Sequence, residues 1–120
     1  MTTRVAINGF GRVGRNVFRA VQERSQDIEV VAVNDLTTPA TLAHLLKHDT
    51  VLGPFPGSVA ATQDGIDVDG SLVRVLSCKD PAALPWRDLG IDLVIESTGM
   101  FSDASRARVH IDGGARKVLI

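Results

Sequence analysis

The sequence lacks a second cysteine, an excess of charge and a long apolar run. Cys78 is the only cysteine among 120 residues, which excludes an internal disulfide framework and fits a reducing compartment. Thirteen basic residues balance fourteen acidic ones, so the net charge of -1 gives no sign of a nucleic-acid footprint. No apolar segment has the length of a signal-peptide core or of a membrane span. These absences predict a cytoplasmic protein without a membrane or nucleic-acid partner.

The first part of the chain predicts a strand, a helix and a second strand. The apolar run 5–7 is a buried strand candidate, and apolar residues recur at helical spacing over 11–25, with Arg15 and Arg19 assigned to the polar face. Residues 28–33 are rich in β-branched side chains and predict the second strand. The order indicates a βαβ unit with parallel strands and a right-handed crossover.

Residues typical of helix starts and turns divide the middle of the chain. Thr38 and Pro39 predict a helix start, with Thr38 as the N-cap and Pro39 at the first helical position. The segment 50–58 reads as a loop, and the two Asp-Gly pairs that follow predict an antiparallel β-meander over about 58–77.

The C-terminal third continues the alternation of strands and helices. A buried strand is predicted over 92–96, a short helix over 102–111 capped by Ser102, and a last strand from 117. The expected fold class is α/β, with a Rossmann-type open parallel sheet and the meander as an insertion. The sequence ends inside an apolar strand, so we expect residues 1–120 to form one domain that is incomplete at its C-terminus.

Three glycines form the pattern G-x-G-x-x-G between the first strand and the first helix. Gly9 allows a tight turn, Gly11 lets the backbone approach a pyrophosphate, and Gly14 lets the helix pack close to the strand. Asp35 lies 21 positions after Gly14, at the end of the second strand, where a carboxylate can accept hydrogen bonds from ribose hydroxyls. Because a carboxylate would repel a 2′-phosphate, the pattern favours NAD over NADP.

Polar stops, two of them containing glycine, follow the predicted parallel strands. These stops are Asn8-Gly9, Asn34-Asp35 and Ser97-Thr98-Gly99. The carboxyl ends of parallel strands share one edge of a sheet, and that edge carries the ligand crevice of open α/β folds. Together with Asp35, the stops predict a dinucleotide site rather than ordinary turns.

Motifs along the whole chain resemble one enzyme family. N-G-F-G-R-V-G-R, N-D-L-T, L-A-H-L-L-K-H-D-T-V-L-G, K-D-P, E-S-T-G-M-F and G-G-A-R-K-V-L-I, in this order, are similar to the N-terminal part of phosphorylating glyceraldehyde-3-phosphate dehydrogenases. The resemblance implies a Rossmann NAD domain followed by a catalytic domain, in a homotetramer. It also implies oxidation of glyceraldehyde 3-phosphate to 1,3-bisphosphoglycerate, with NAD and phosphate, through a cysteine thioester.

The resemblance also assigns residues to the cofactor. Gly9, Phe10 and Gly11 form the glycine loop, and the backbone of Arg12 and Val13 is expected at the pyrophosphate. The remaining expected contacts are Asn34 and Asp35 on the adenosine side, Lys79 near the adenine where the family usually has arginine, and Ser97, Thr98, Gly99 and Phe101 toward the nicotinamide. The family's catalytic cysteine lies in a Ser-Cys-Thr-Thr-Asn motif that this sequence lacks, and its histidine base lies further on, so no catalytic residue and no turnover are expected from these 120 residues.

Two other functions stay open at this level. One is a sister enzyme acting on erythrose 4-phosphate, although such relatives more often have glutamate where this chain has Asp35. The other is a nucleotide-binding module without chemistry of its own.

Further residues have an ordinary and a functional interpretation. Cys78 is interpreted as an inert thiol rather than an activated one, and the pair His44 and His48 as a solvated helix end rather than a zinc site. His110 is assigned to the helix surface. Arg15 is equally consistent with a phosphate ligand and a solvated or interface side chain.

The single tryptophan, Trp86, is expected to anchor the meander against the sheet. Stacking on the adenine is the alternative.

Overall fold

A computed structural model describes residues 2–24, 27–49, 53–98 and 104–119. Its main sheet has seven strands, and a separate two-stranded ladder lies beside it. In chain order the elements are β1 Thr3–Asn8, α1 Arg12–Arg24, β2 Ile28–Asn34, α2 Pro39–Lys47, β3 His48–Asp49, β4 Gly53–Pro54, β5 Val59–Ala61, β6 Gly65–Val68, β7 Ser71–Leu76, the 3₁₀ turn Pro81–Ala83, β8 Leu93–Glu96, α3 Ala104–Asp112 and β9 Lys117–Leu119.

The central sheet is parallel, as the sequence predicts. Its spatial order is β5-β6-β7-β2-β1-β8-β9, and every neighbouring pair from β7 to β9 is parallel. Strand order reverses at β1, since β2 lies on one side of it and β8 on the other. Ligand crevices of open α/β sheets form at such a switch point, outside the carboxyl ends of the strands.

Register brings the last residues of the central strands into one row. Asn8 pairs with Asn34 on β2 and with Glu96 on β8, and Asn34 pairs in turn with Leu76 on β7. Paired residues of neighbouring strands point to the same face of a sheet. Three buried polar side chains therefore lie side by side beneath the crevice.

The predicted meander exists, and it extends the main sheet instead of standing apart from it. β5, β6 and β7 pair antiparallel, and β7 continues the sheet parallel to β2. Asp69 and Gly70 form the two-residue turn, with φ of 52° and 88°, the positive values that such hairpins require. Gly65 is not a turn residue but lies in β6, where an added Cβ would lie 2.1 Å from the Val73 carbonyl oxygen.

A short ladder that sequence reasoning missed joins the residues just before the predicted loop over 50–58 to residues inside it. β3 pairs antiparallel with β4, and Phe55 donates its N–H to the Lys47 carbonyl at 3.0 Å. Residues 50–52 lie outside the described part of the chain. A ladder of two residue pairs has too little hydrophobic periodicity to be recognised in sequence.

Apolar side chains cover the sheet on both faces. On β1, Val5 and Ile7 belong to the cluster beneath α1, α2 and the meander, while Ala6 belongs to the cluster on the opposite face. Trp86 is fully buried in this second cluster, together with Ile91. The expectation that Trp86 anchors the meander is therefore wrong, because the buried meander residues pack on the other face and only the half-buried Leu76 at the end of β7 packs against the cluster of Trp86.

Helix α2 begins as the sequence predicts. Thr38 is the N-cap, its hydroxyl accepts the Thr41 N–H at 3.3 Å, and Pro39 occupies the first helical position. We expect Thr38→Ala to lower the free energy of unfolding by about 1 kcal/mol, since one N–H of the first turn loses its partner. Urea unfolding of the full-length protein measures this. Thr2→Ala, at an exposed position before β1, is the matched control and should leave the urea midpoint unchanged.

Arg19 contradicts its assignment to the polar face of α1. It is 6% exposed, and its Nη2 donates to the carbonyls of Leu46 and Gly53 at 2.7 and 2.9 Å. The guanidinium also lies 5.5 Å from the ring centroid of Phe55. One side chain thus connects α1 to the last turn of α2 and to β4.

Candidate functional site

A cavity of about 330 Å³ lies at the carboxyl edge of the parallel strands. Most of the residues predicted to bind a cofactor line it, namely Gly9, Gly11, Asn34, Asp35, Lys79, Ser97 and Thr98. Four further residues line it: Asn8, which the sequence places at a strand-end stop without a cofactor contact, and Leu36, Cys78 and Pro81, which the sequence does not place at the site. The cavity therefore joins the loop after β1 to the segments that follow β2, β7 and β8.

The three glycines of the loop have three different environments. Gly9 has φ of +96°, and an added Cβ would lie 2.8 Å from Thr98 Cγ2. A Cβ on Gly14 would lie 2.3 Å from the Gly9 carbonyl oxygen, whereas a Cβ on Gly11 would meet nothing within 4 Å. Gly9 and Gly14 thus permit close packing within the protein, and Gly11 leaves open space at the cavity.

The N-terminus of α1 opens at this cavity. The first turn of an α-helix leaves backbone N–H groups without intrahelical acceptors, and these groups attract anions. The first turn contains no acidic residue that would occupy them or repel an anion. Arg12 and Val13 are exposed here, and Val13 is 62% exposed despite being apolar.

Phe10 supports the loop from below. Its side chain is 1% exposed and packs edge-on against Phe18, with ring centroids 5.8 Å apart. Its N–H donates to Asp35 Oδ2 at 2.9 Å. Phe10 therefore connects the glycine loop to the acidic residue at the end of β2.

The Asp35 carboxylate is half-buried and held by two backbone donors. Besides the Phe10 N–H at Oδ2, Oδ1 accepts the Thr37 N–H at 3.1 Å. A carboxylate has about four lone-pair sites, so acceptor capacity remains on the cavity side. The side chain is thus oriented in advance and can still accept hydroxyl hydrogens.

The opposite wall is held by Asn34. Its Oδ1 accepts the Cys78 N–H at 2.9 Å, and its Nδ2 donates to the Cys78 carbonyl at 3.0 Å. This two-point contact fixes the chain just before Lys79, which is exposed at the cavity. Cys78 is half-buried and lines the cavity.

Ser97 and Thr98 form the wall that follows β8. Ser97 Oγ donates to the Gly9 carbonyl at 2.6 Å, and its N–H donates to the Asn8 carbonyl at 2.9 Å. Gly99 and Phe101, the other residues expected near the nicotinamide, lie outside the described residues, as does the proposed helix cap Ser102.

Glu96 is a buried residue beneath the site that sequence reasoning missed. It is 5% exposed, and its carboxylate accepts hydrogen bonds from Asn8 Nδ2 at 2.7 Å and from Thr98 Oγ1 and N at 2.6 and 3.1 Å. Burial disfavours its charged form, but hydrogen bonds from His110, Thr98 and Asn8 outweigh burial and lower its pKa below the usual value. The sequence signal that could have identified Glu96 is its position as a charged residue at the end of an otherwise apolar strand.

His110 is buried, so its assignment to the helix surface is wrong. It is 0% exposed, with Nε2 at 2.7 Å from Glu96 Oε1 and Nδ1 at 3.0 Å from Trp86 Nε1. Trp86 is thus bound to α3 rather than exposed for adenine stacking. Helical periodicity could not distinguish this buried histidine from an exposed one.

Arg15 and the pair His44 and His48 each have two interpretations from the sequence. Arg15 is half-buried, and its Nη1 donates to the Phe10 carbonyl at 3.1 Å, so it supports the glycine loop from within the protein. His44 and His48 are exposed with ring centroids 4.8 Å apart. Within the described ranges, no group of three or more His, Cys, Asp or Glu residues is placed to hold a metal ion.

A parallel sheet with a switch point, a glycine loop that opens a helix, and an acidic residue after the second strand define a dinucleotide-binding domain. The family described as "Glyceraldehyde 3-phosphate dehydrogenase, NAD binding domain" matches residues 3–104. The chain belongs to this family.

Curated relatives agree with the family match. The chain is 61% identical over 120 residues to glyceraldehyde-3-phosphate dehydrogenase 1 of Streptomyces avermitilis, covering 100% of this chain and 36% of the relative. It is 56% identical over 118 residues to glyceraldehyde-3-phosphate dehydrogenase of Thermotoga maritima, covering 98% and 35%. The chain thus spans about a third of the length of these relatives. In the part of the chain that the structure describes, no helix is long and apolar enough to cross a membrane.

Proposed function

We propose that this chain is the NAD-holding part of an enzyme that oxidises glyceraldehyde 3-phosphate to 1,3-bisphosphoglycerate with NAD and phosphate. The observation that carries the proposal is the placement of the Asp35 carboxylate. It is fixed by the Phe10 N–H and lies at the cavity beside an open Gly11. Relatives that cover the whole chain are named as glyceraldehyde-3-phosphate dehydrogenases, which supports this reaction.

The space around Gly11 shows that the cavity can accept a dinucleotide. An added Cβ on Gly11 meets nothing within 4 Å, so space is kept where a pyrophosphate would approach the N-terminus of α1. We assign the pyrophosphate to the backbone of Gly9, Gly11, Arg12 and Val13 and the adenosine side to Asp35 and Lys79. NAD, when bound, supplies a hydride acceptor at its nicotinamide ring.

Other parts of the proposal concern the full-length protein. The Ser-Cys-Thr-Thr-Asn motif is absent from these 120 residues, so we assign covalent catalysis to residues outside them. Residues 1–120 then form the cofactor domain. As the family resemblance implies, the full-length enzyme is a cytoplasmic homotetramer. The experiment for the reaction is NADH formation by the full-length protein with glyceraldehyde 3-phosphate and with erythrose 4-phosphate. Faster turnover of erythrose 4-phosphate, or no turnover of either, would contradict the proposal.

The choice of NAD over NADP should depend on Asp35. Charge-assisted hydrogen bonds contribute about 1.5–3 kcal/mol, so Asp35→Ala should weaken NAD binding by roughly 10- to 100-fold. NADP binding should weaken less or improve, because the repulsion of its 2′-phosphate is removed. Calorimetric titration of both cofactors into wild type and variant measures the change.

Asp88→Ala is the matched control, since Asp88 is exposed and outside the cavity. It should leave both affinities unchanged. Equal binding of NADP and NAD by the wild type would contradict the assignment of the cofactor.

A further inference from the structure

A chain of hydrogen bonds runs beneath the cavity, from one wall to the other. It begins at Cys78, passes through the side chains of Asn34 and Asn8, and reaches the carboxylate of Glu96. From Glu96 it branches to Thr98 on the far wall and to His110 in α3. The row of paired strand ends brings these side chains onto one face of the sheet.

The direction of this chain is set by the backbone on the β7 side. The Cys78 N–H must meet an oxygen and its carbonyl must meet a donor, which fixes the orientation of the Asn34 amide. Asn34 Nδ2 then donates to Asn8 Oδ1 at 2.8 Å. Asn8 is left with its Nδ2 toward Glu96, and neither amide can flip without placing two donors face to face.

On the α3 side, the direction of the hydrogen bonds is set by Trp86. The Trp86 indole N–H can only donate, so His110 Nδ1 is its acceptor. The hydrogen of the neutral ring therefore sits on Nε2 and is donated to Glu96 Oε1. Thr98 adds a backbone N–H, which also can only donate.

Position 96 is therefore surrounded by donors, which come from Asn8, His110 and Thr98. An ionised carboxylate accepts at both oxygens, whereas the amide of glutamine would turn an NH₂ group toward one set of donors. We propose that the Glu96 carboxylate is a positioning residue for the cofactor: through Thr98 on one side and Asn8, Asn34 and Cys78 on the other, it sets the geometry of both walls of the cavity.

The same contacts redefine Asn34. Both hydrogens of its Nδ2 are used, one by Asn8 Oδ1 and one by the Cys78 carbonyl. Its amide therefore has no N–H to offer a nucleotide. The adenosine contact expected of Asn34 becomes a positioning role, and Asp35 carries the direct contact.

A double-mutant cycle tests the direction of the chain. Glu96→Gln should raise the Kd for NAD by roughly 10-fold or more, because buried donors lose their acceptor. Asn8→Asp alone should also weaken binding, since two carboxylates would face each other. In the double variant, the introduced glutamine amide can donate to the introduced aspartate, whose carboxylate still accepts from Asn34. The double variant should bind NAD more tightly than either single variant, leaving only the His110 donor unmatched.

The measurements use the full-length protein, with Glu23→Gln on an exposed position of α1 as the matched control. The Kd for NAD and the urea midpoint without cofactor are both measured for each variant. A general loss of fold would lower the midpoint of Glu96→Gln without a recovery in the double variant. If the effects of Glu96→Gln and Asn8→Asp on the Kd and on the urea midpoint simply add in the double variant, the proposal is overturned.

Two further outcomes are decisive. If Glu96→Gln does not fold, recovery of a folded double variant supports the proposal, and failure of the double variant to fold overturns it. Nitrogen-15 NMR of the His110 ring should show the hydrogen on Nε2, and a hydrogen on Nδ1 would overturn the proposal. The NAD measurement rests on the proposed function, but the midpoints do not. A wild type that fails to bind NAD would refute that function, and the midpoints would still test whether Glu96 sets the geometry of the two walls.

Discussion

Gly14→Ala is expected to lower the free energy of unfolding by at least about 3 kcal/mol and to abolish NAD binding. The added Cβ would lie 2.3 Å from the Gly9 carbonyl oxygen, 3.0 Å from Ser97 Oγ and 3.1 Å from Ile7 Cγ2. Forcing a methyl group into a closely packed region costs about 1–3 kcal/mol, and more where the neighbour is backbone that cannot move. α1 would have to shift away from β1, taking its N-terminal N–H groups out of place.

Gly11→Ala is the matched variant, three positions earlier in the same loop. Its Cβ meets nothing within 4 Å, so we expect less than about 1 kcal/mol of lost stability in the protein without cofactor. The methyl group would instead occupy space at the cavity and weaken NAD binding. Urea unfolding followed by circular dichroism, with calorimetric titration of NAD, separates the two effects. A Gly14→Ala protein with the wild-type urea midpoint would contradict the prediction.

Arg19→Met is expected to lower the free energy of unfolding by about 2–4 kcal/mol. Methionine retains much of the apolar stem but removes the donor that serves the carbonyls of Leu46 and Gly53. Buried acceptors left without a partner cost about 1–3 kcal/mol each. The end of α2 and strand β4 would lose their common connection to α1.

Arg12→Met on the same helix is the control, because Arg12 is exposed and surface substitutions usually stay within about 0.5 kcal/mol. Arg19→Lys should recover only part of the loss, since an ammonium cannot reproduce the planar guanidinium that lies over Phe55. Chemical denaturation of the four proteins measures these differences. Equal midpoints for Arg19→Met and Arg12→Met would show that the buried contacts contribute no stability.

The features that sequence reasoning predicted depend on neighbouring residues. The positions Gly9, Gly11 and Gly14 between a strand and a helix define the loop, and the Thr38-Pro39 pair defines the start of α2. Asp69-Gly70 defines its hairpin because the turn needs positive φ at both positions. Each of these signals is complete within a few residues.

The features that sequence reasoning missed depend on distant residues. Arg19 is 27 positions from Leu46, and His110 is 24 positions from Trp86 and 14 from Glu96. On helical periodicity an arginine or a histidine off the apolar stripe is assigned to solvent. Only the packing of another element over it supplies the carbonyl or carboxylate that makes its burial favourable.

The sequence by itself determined the α/β alternation, the glycine loop, the acidic residue that follows β2 and the membership of a family. The tertiary structure decided how the strand ends are used. Asn8, Asn34 and Glu96 close three separate apolar runs, and the register of parallel strands places them side by side. Register is a property of paired strands, so no single strand encodes which of its neighbours' donors will face Glu96.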